Sequence, residues 1–304
     1  MLACALTESG SRMSTESVGA RYRGLDAWPS RDILDVFIEG QMAAIAAVRA
    51  AAGQIEAAAD AVTARLRAGG RLVYVGAGTS GRLGLLDGVE LIPTFDWPAE
   101  RVVYLLAGGE GALVRAVEGA EDDREAGARD IANANVAAND AVIAVAASGS
   151  TPYTIAALEA GRARGALGIG IANNPGAALL AAAEYPILLD TGTEAIGGST
   201  RMKAGTAQKA TLNLLSSLVM TQLGRVHDGY MVDLRATNAK LRRRSERMLV
   251  EITGVTDDVA RDALARCAGR VKPAVLVLKG LTPEAAERAL AEAGGSLRSA
   301  LQKS

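Results

Sequence analysis

Five short apolar runs constrain what this chain can fold into. They are residues 72–75, 102–106, 141–147, 167–172 and 185–189, and each leads into a turn rich in Gly, Ser, Thr, Asn or Asp. Their apolarity is continuous rather than alternating. A strand with apolar side chains on both faces is buried on both faces, and parallel strands need long crossover connections to join them. The sequence between the runs has helical character. The expected fold is therefore α/β, a three-layer αβα sandwich around a five-stranded parallel sheet. Ligands of such sheets bind beyond the carboxyl ends of the strands. Those ends are where this chain places its hydroxyls and glycines.

Helical signals frame the runs. Ser30 predicts an N-cap for a helix starting near Arg31, with Ile38, Met42 and Ile45 on one face. Gly53 predicts an interruption, after which Ile55, Ala58, Ala59, Val62 and Leu66 define a second helix that ends at Gly69-Gly70. A long helix is expected from about Thr200 to Leu223. Thr256-Asp257-Asp258 and Thr282-Pro283-Glu284 then mark short capped helices, and Gly294-Gly295 breaks the last pair. The expected division is an N-terminal segment 1–29, an α/β domain 30–243 and a small helical domain 244–304.

Composition removes several function classes. With 33 Lys+Arg against 34 Asp+Glu, the chain has no basic excess for a nucleic acid or an anionic membrane. One His and two Cys cannot build a His- or Cys-rich metal site, and a Ser–His–Asp hydrolase would depend on His227 alone. Cys4 and Cys267 suggest a reduced, cytoplasmic setting rather than a disulfide framework. Cys267 is expected in a core. Residues 1–7 are apolar but short and lack a basic leader, no long apolar run predicts a membrane span, and Met13 is an alternative start. About a fifth of the chain is Ala and only 3% is aromatic, so its elements approach closely and subunit contacts are expected to bury apolar surface.

Three turns carry the chemistry. Gly76-Ala77-Gly78-Thr79-Ser80-Gly81 has the Gly-x-Gly-x-x-Gly spacing of a dinucleotide loop, but the acidic residue expected about 20 residues later is missing. Thr79 and Ser80 put hydroxyls at a helix N-terminus, where N–H groups and the dipole favour an anion; plain helix capping is the other reading. Ser148-Gly149-Ser150-Thr151-Pro152 repeats the arrangement after the third run. Gly197-Gly198-Ser199-Thr200-Arg201 adds more hydroxyls and a cation that can hold a phosphate or carboxylate in two places, or form a salt bridge. Together they suit a small phosphate monoester.

The paired loops resemble a sugar isomerase (SIS) domain. The stretch 198–209 resembles a motif shared by N-acetylmuramic acid 6-phosphate etherases and glucokinase regulatory proteins. Residues 76–84, 117–122, 148–153 and 231–233 are also similar to the etherases. Regulatory proteins carry two SIS units, and this chain has length for one. The sequence departs from the etherase pattern at Gly88-Val89, where Ala-Ser is usual, at Thr193, where Pro is usual, and at Asp228-Gly229, where Asn is usual.

The resemblance implies a UBA-like C-terminal domain, a homodimer with a shared active site, and no cofactor or metal. It implies cleavage of the D-lactyl ether of N-acetylmuramic acid 6-phosphate, giving N-acetylglucosamine 6-phosphate and D-lactate. The family's acid falls on Glu90 and its second catalytic Glu on Glu121, the expected C2 base. Thr79, Ser80, Ser148, Ser150, Thr151, Ser199, Thr200 and Arg201 are the expected substrate and phosphate ligands. A general acid at neutral pH needs raised proton affinity, so Glu90 is expected to be partly buried. Asp87 and Glu118, three residues before these, are expected on the same helical faces. His227 is expected to be structural or at a subunit edge, and Arg242-Arg243-Arg244 a solvated helix face. An aldose–ketose isomerase and a non-catalytic phosphosugar sensor are the competing functions on the same scaffold.

Overall fold

The computed structural model describes residues 14–115, 117–234 and 238–303. Expectations for Cys4, residues 1–7 and Met13 lie outside them. The apolar runs form strands β1 (Leu72–Gly76), β2 (Val102–Leu106), β3 (Ala141–Ala146), β4 (Leu167–Ala172) and β5 (Tyr185–Leu188), all parallel, in the order β2-β1-β3-β4-β5. The three inner strands are buried throughout and the two edge strands only in part. Side-chain alternation divides the core. Leu72, Tyr74, Ile143 and Ile169 face one helical layer, while Val73, Val75, Val142 and Ala144 face the other.

The first layer holds α2 (Ala52–Arg67), α3 (Gly78–Phe95) and α7 (Lys203–Gln222), and the second holds α4 (Arg124–Asn133), α5 (Pro152–Ala163) and the short α6 (Ala178–Ala182). Helix α1 (Ser30–Ala50) packs mainly on α7, outside the layer. Its Ala44, Ala47 and Val48 are buried, while Leu34, Ile38, Met42 and Ile45 point outward and are about half exposed.

Local details differ from expectation. Ser30 is the first helical residue, and Pro29 occupies the cap position without a side-chain hydrogen bond. The break between α1 and α2 falls at Ala51, and Gly53 lies inside the first turn of α2. Helix α7 starts at Lys203 because the preceding Ser199–Met202 segment is a tight turn, with Ser199 N–H bonded to the Ile196 carbonyl and Met202 N–H to that of Ser199.

A second core gathers α8 (Ala239–Thr253), α9 (Asp257–Arg266), α10 (Val271–Leu278), α11 (Pro283–Glu292) and α12 (Leu297–Lys303), with Val232, Leu234 and Cys267. Helix α8 runs through the expected 243/244 division. A two-strand hairpin, β6 (Val226–His227) and β7 (Tyr230–Met231), precedes this core. Its turn is Asp228-Gly229, with φ of 45° and 82°. Two-residue hairpins of this kind need positive φ at both positions, which Asn, Asp and Gly tolerate best. That accounts for a departure here which swaps one turn-forming residue for another. Asp233 ties the two cores together. Its Oδ2 accepts from Lys272 Nζ of α10 at 2.5 Å and lies 3.4 Å from Nε of Arg225, the residue before β6. Among the described residues, no helix is long and apolar enough to cross a membrane.

Candidate active site

The first turn is built by close approach. A side chain at Gly76 would meet Gly81 Cα at 2.8 Å, and one at Gly81 would meet the Gly76 carbonyl at 2.7 Å. Gly78 takes φ of 52° to begin α3. The glycine spacing thus brings a helix N-terminus tight onto a strand end. No side chain caps α3, so the capping reading of Thr79 and Ser80 does not hold. Thr79 is half-buried near the start of α7. Ser80 turns inward and donates its hydroxyl to Gln208 Oε1 at 2.8 Å.

The second turn follows β3. Ser148 Oγ accepts the Ser150 N–H at 3.2 Å, Gly149 takes φ of 67°, and Thr151 precedes Pro152 at the first position of α5. Ser148 and Thr151 are half-buried and Ser150 is exposed. In the third turn Ser199 and Thr200 are half-buried, while Arg201 is exposed and makes no ion pair among the described residues. The Thr200 carbonyl accepts the Gly205 N–H at 2.8 Å, and a side chain at Gly205 would lie 3.6 Å from Thr79 Cγ2. The first and third turns meet there.

Buried amides brace the turns. Gln208 Nε2 donates to Asn173 Oδ1 at 2.9 Å, and Asn173 Nδ2 reaches the Leu189 carbonyl at 3.1 Å. Asn174 Nδ2 donates to the Ala147 carbonyl at 3.1 Å and the Ser148 carbonyl at 3.3 Å. Gln208 sits in a motif that sequence reasoning singled out for its hydroxyls and Arg. Asn173 and Asn174 were legible only as a turn after β4.

Glu194 is also buried, and its carboxylate accepts from Lys203 N–H at 3.3 Å and Ala204 N–H at 2.9 Å, closing the N-terminus of α7. This places an anion where the helix dipole favours one. Burial raises the proton affinity of Glu194, while the two N–H groups and the Lys203 charge oppose it. Burial likewise lowers the Lys203 pKa against the pull of Glu194 and Asp190.

The acids depart from expectation. Glu90 lies inside α3, which continues to Phe95. It is exposed, not partly buried, on the same stripe as Thr79, Leu83 and Leu86. Eleven residues separate Thr79 from Glu90, which places Glu90 about 16 Å along the helix from the first turn. The buried carboxyl is Asp87, whose Oδ2 accepts from Tyr74 OH at 2.8 Å and whose Oδ1 accepts from Asn213 at 2.7 Å and Ser216 at 3.1 Å. Burial raises its pKa, against those three hydrogen bonds and the Lys209 charge. Glu121 is exposed in a single 3-10 turn, Ala120–Asp122, beside α5. Glu118 and Glu121 share no helical face, because Gly119 at φ of 71° stands between them. Arg82, one turn into α3, donates to the Ala112 and Leu113 carbonyls and holds the segment leading to Glu121.

His227 is buried, with Nε2 3.4 Å from Asp228 Oδ2, and burial lowers its pKa. Arg242, Arg243 and Arg244 are exposed. A cavity of about 1610 Å³ lies between the α/β core and the helical core, lined in part by Trp97, Arg101, Arg225 and Lys272. It is at the other end of the sheet from the hydroxyl turns. Size alone does not make it the reaction site, because its central cations already face Asp233 or backbone carbonyls.

Residues 54–162 match the family described as the glucokinase regulatory protein N-terminal SIS domain, and residues 121–218 match the SIS domain. A phosphoheptose isomerase from Francisella tularensis superposes with a TM-score of 0.49 and 20% identity, over 64% of this chain and 100% of that one. The N-acetylmuramic acid 6-phosphate etherase of Deinococcus radiodurans is 55% identical, over 87% of each chain. That of Geobacillus thermodenitrificans is 45% identical, over 95% of this chain and 99% of its own. Identity of this depth over nearly the whole length settles the kinship: the chain belongs to the N-acetylmuramic acid 6-phosphate etherase family.

Proposed function

We propose that the chain cleaves the D-lactyl ether at C3 of N-acetylmuramic acid 6-phosphate, a step in recycling the cell-wall amino sugar. The supporting observation is the cross-braced set of hydroxyl turns at one end of the sheet, in a chain of this family. Thr79, Ser80, Ser148, Ser150, Thr151, Ser199, Thr200 and Arg201 form the substrate and phosphate cradle. Ser80 contributes through its backbone N–H, since its hydroxyl is committed to Gln208.

In the open-chain sugar, the C2 hydrogen is acidified by the C1 aldehyde. Glu121 takes that proton, the C3–O bond breaks with its electron pair on the lactyl oxygen, and Glu90 protonates that oxygen. D-lactate leaves and a C2=C3 double bond remains. Water then adds its hydroxyl to C3 and a proton returns to C2, giving N-acetylglucosamine 6-phosphate. Each proton transfer contributes about 10²–10⁴-fold.

Exposure of both acids points to an incomplete site in the single chain. Leu86, Val89 and Ile92 of α3, Leu214 of α7, and Leu34, Ile38, Met42 and Ile45 of α1 are exposed apolar residues on the side of the sheet that also carries Glu90. Monomers seldom leave so much apolar surface open. A second copy of the chain covers this face, buries Glu90 and shares the site, so that Glu90 serves the sugar held by the turns of the other copy, because about 16 Å separates it from the first turn of its own chain. The substrate, a phosphorylated sugar, and the unpaired Cys267 suit a cytoplasmic reaction.

The test is turnover in ¹⁸O-water. Elimination and hydration yield unlabelled lactate and label at C3 of the product. Labelled lactate refutes the mechanism. Interconversion of the sugar without lactate release favours an isomerase, and binding without turnover favours a sensor.

A further inference from the structure

Residues 15–19 supply none of the acids or cradle hydroxyls, yet they are bound into the turns. Thr15 is fully buried. Its N–H donates to Asn174 Oδ1 at 3.3 Å, and its Oγ1 accepts from Asn174 Nδ2 at 2.9 Å. The same amide nitrogen reaches the Ala147 and Ser148 carbonyls, at the start of the second turn. The Thr15 carbonyl accepts the Gly198 N–H at 3.1 Å, at the start of the third.

The residues that follow lie along the third turn without slack. A side chain at Gly197 would meet Val18 Cγ2 at 2.7 Å, and one at Gly19 would meet Thr193 Oγ1 at 2.9 Å. Thr193 is the position where Pro is usual in the etherases. One residue, Thr15, thus bridges two turns that come from distant parts of the chain.

We propose that residues 15–19 are a strap belonging to the substrate site, with Thr15 as a positioning residue that sets the third turn against the second. The inference rests on the reading that these turns hold the phosphosugar. Thr15 touches no substrate and acts through Asn174 and Gly198. A cradle of neutral donors gains affinity by being ordered before the ligand arrives, because loop ordering otherwise counts against binding. An apolar plug would hold the strap down without fixing its register. The two-point clasp fixes register, since one amide must meet both the N–H and the hydroxyl of the same residue.

The experiment compares Thr15→Val, Thr15→Ser and Ser150→Ala for lactate release from N-acetylmuramic acid 6-phosphate, with melting temperatures alongside. One hydrogen bond of about 1–1.5 kcal/mol corresponds to roughly tenfold. Thr15→Val is expected to raise KM about tenfold with kcat unchanged, and Thr15→Ser to restore the parental KM. A parental KM in Thr15→Val while Ser150→Ala is impaired overturns the strap alone. So does a joint loss of kcat and melting temperature that Thr15→Ser fails to rescue. A parent that releases no lactate, or a parental KM in Ser150→Ala, overturns the reading of the turns and the strap with it.

Discussion

Ser80 and Gln208, 128 residues apart in sequence, are joined by a 2.8 Å hydrogen bond between the first turn of α3 and the second turn of α7. The bond is buried and continues through Asn173 to the end of β5. Gln208→Leu removes an acceptor from the Ser80 hydroxyl and a donor from Asn173 Oδ1. Each buried group left unsatisfied costs about 1–3 kcal/mol. The variant is expected to melt several degrees below the parent and to show a raised KM. An unchanged melting temperature would mean that the network carries no net stability.

The sheet was legible because short runs of unbroken apolarity, each closed by a polar turn, suit strands covered on both faces, and all five runs became parallel strands. The three turns were legible because glycine and hydroxyl residues cluster at strand ends. The bracing amides were not, since Gln208 and Asn173 acquire partners only through tertiary packing. Asp87 and Glu90 make the same point. Both are acids on one helix three residues apart, and sequence spacing assigned them a common face. A difference of about 60° in helical direction buries one against Tyr74 and leaves the other outside.

Asp87 sets up a pH experiment. Burial raises its pKa in the folded state above that in the unfolded chain. The folded state then holds the proton more tightly. The stabilising contribution is whole below the unfolded carboxylate range and is lost as pH rises through the raised folded value. In Asp87→Asn, Oδ1 can still accept from Asn213 and Ser216, and Nδ2 can donate to Tyr74. The stability of Asp87→Asn relative to the parent is expected to improve from acidic to neutral pH and then level off, as read by denaturant unfolding at several pH values. A difference constant with pH would contradict the raised pKa. Asp87→Leu strands the Tyr74 hydroxyl and the Asn213 amide and leaves Ser216 only the Asn213 carbonyl at 3.4 Å, so it is expected to cost several kcal/mol, at about 1–3 kcal/mol for each stranded donor.

The Gly88 departure has a packing cause. A side chain there would meet Tyr104 Cε1 at 2.6 Å, Tyr74 Cε2 at 2.9 Å and Val102 Cγ1 at 3.0 Å. Two stacked tyrosine rings fill the space that a methyl group would need. Gly88→Ala is expected to destabilise by about 1–3 kcal/mol through overpacking. Tyr104→Val should relieve much of that cost, so a double-mutant cycle should give a favourable coupling energy. Additive effects would show that the ring is not the obstacle.

The last prediction joins the acids to the apolar face. Glu90→Gln keeps the shape of the side chain and removes its proton. It should lower lactate release by about 10²–10⁴-fold with the melting temperature unchanged. Met42 is 68% exposed on the outer face of α1. Met42→Asp puts a charge there without touching the α/β core. If a second copy covers this face, the variant should run at about half the parental solution mass and lose lactate release with it. Because the charge lies on α1 and the acid on α3, a joint loss identifies assembly, rather than local damage, as what completes the site. A monomeric Met42→Asp variant with full turnover would instead place the whole reaction within one chain, and the exposure of Glu90 would then be its working state.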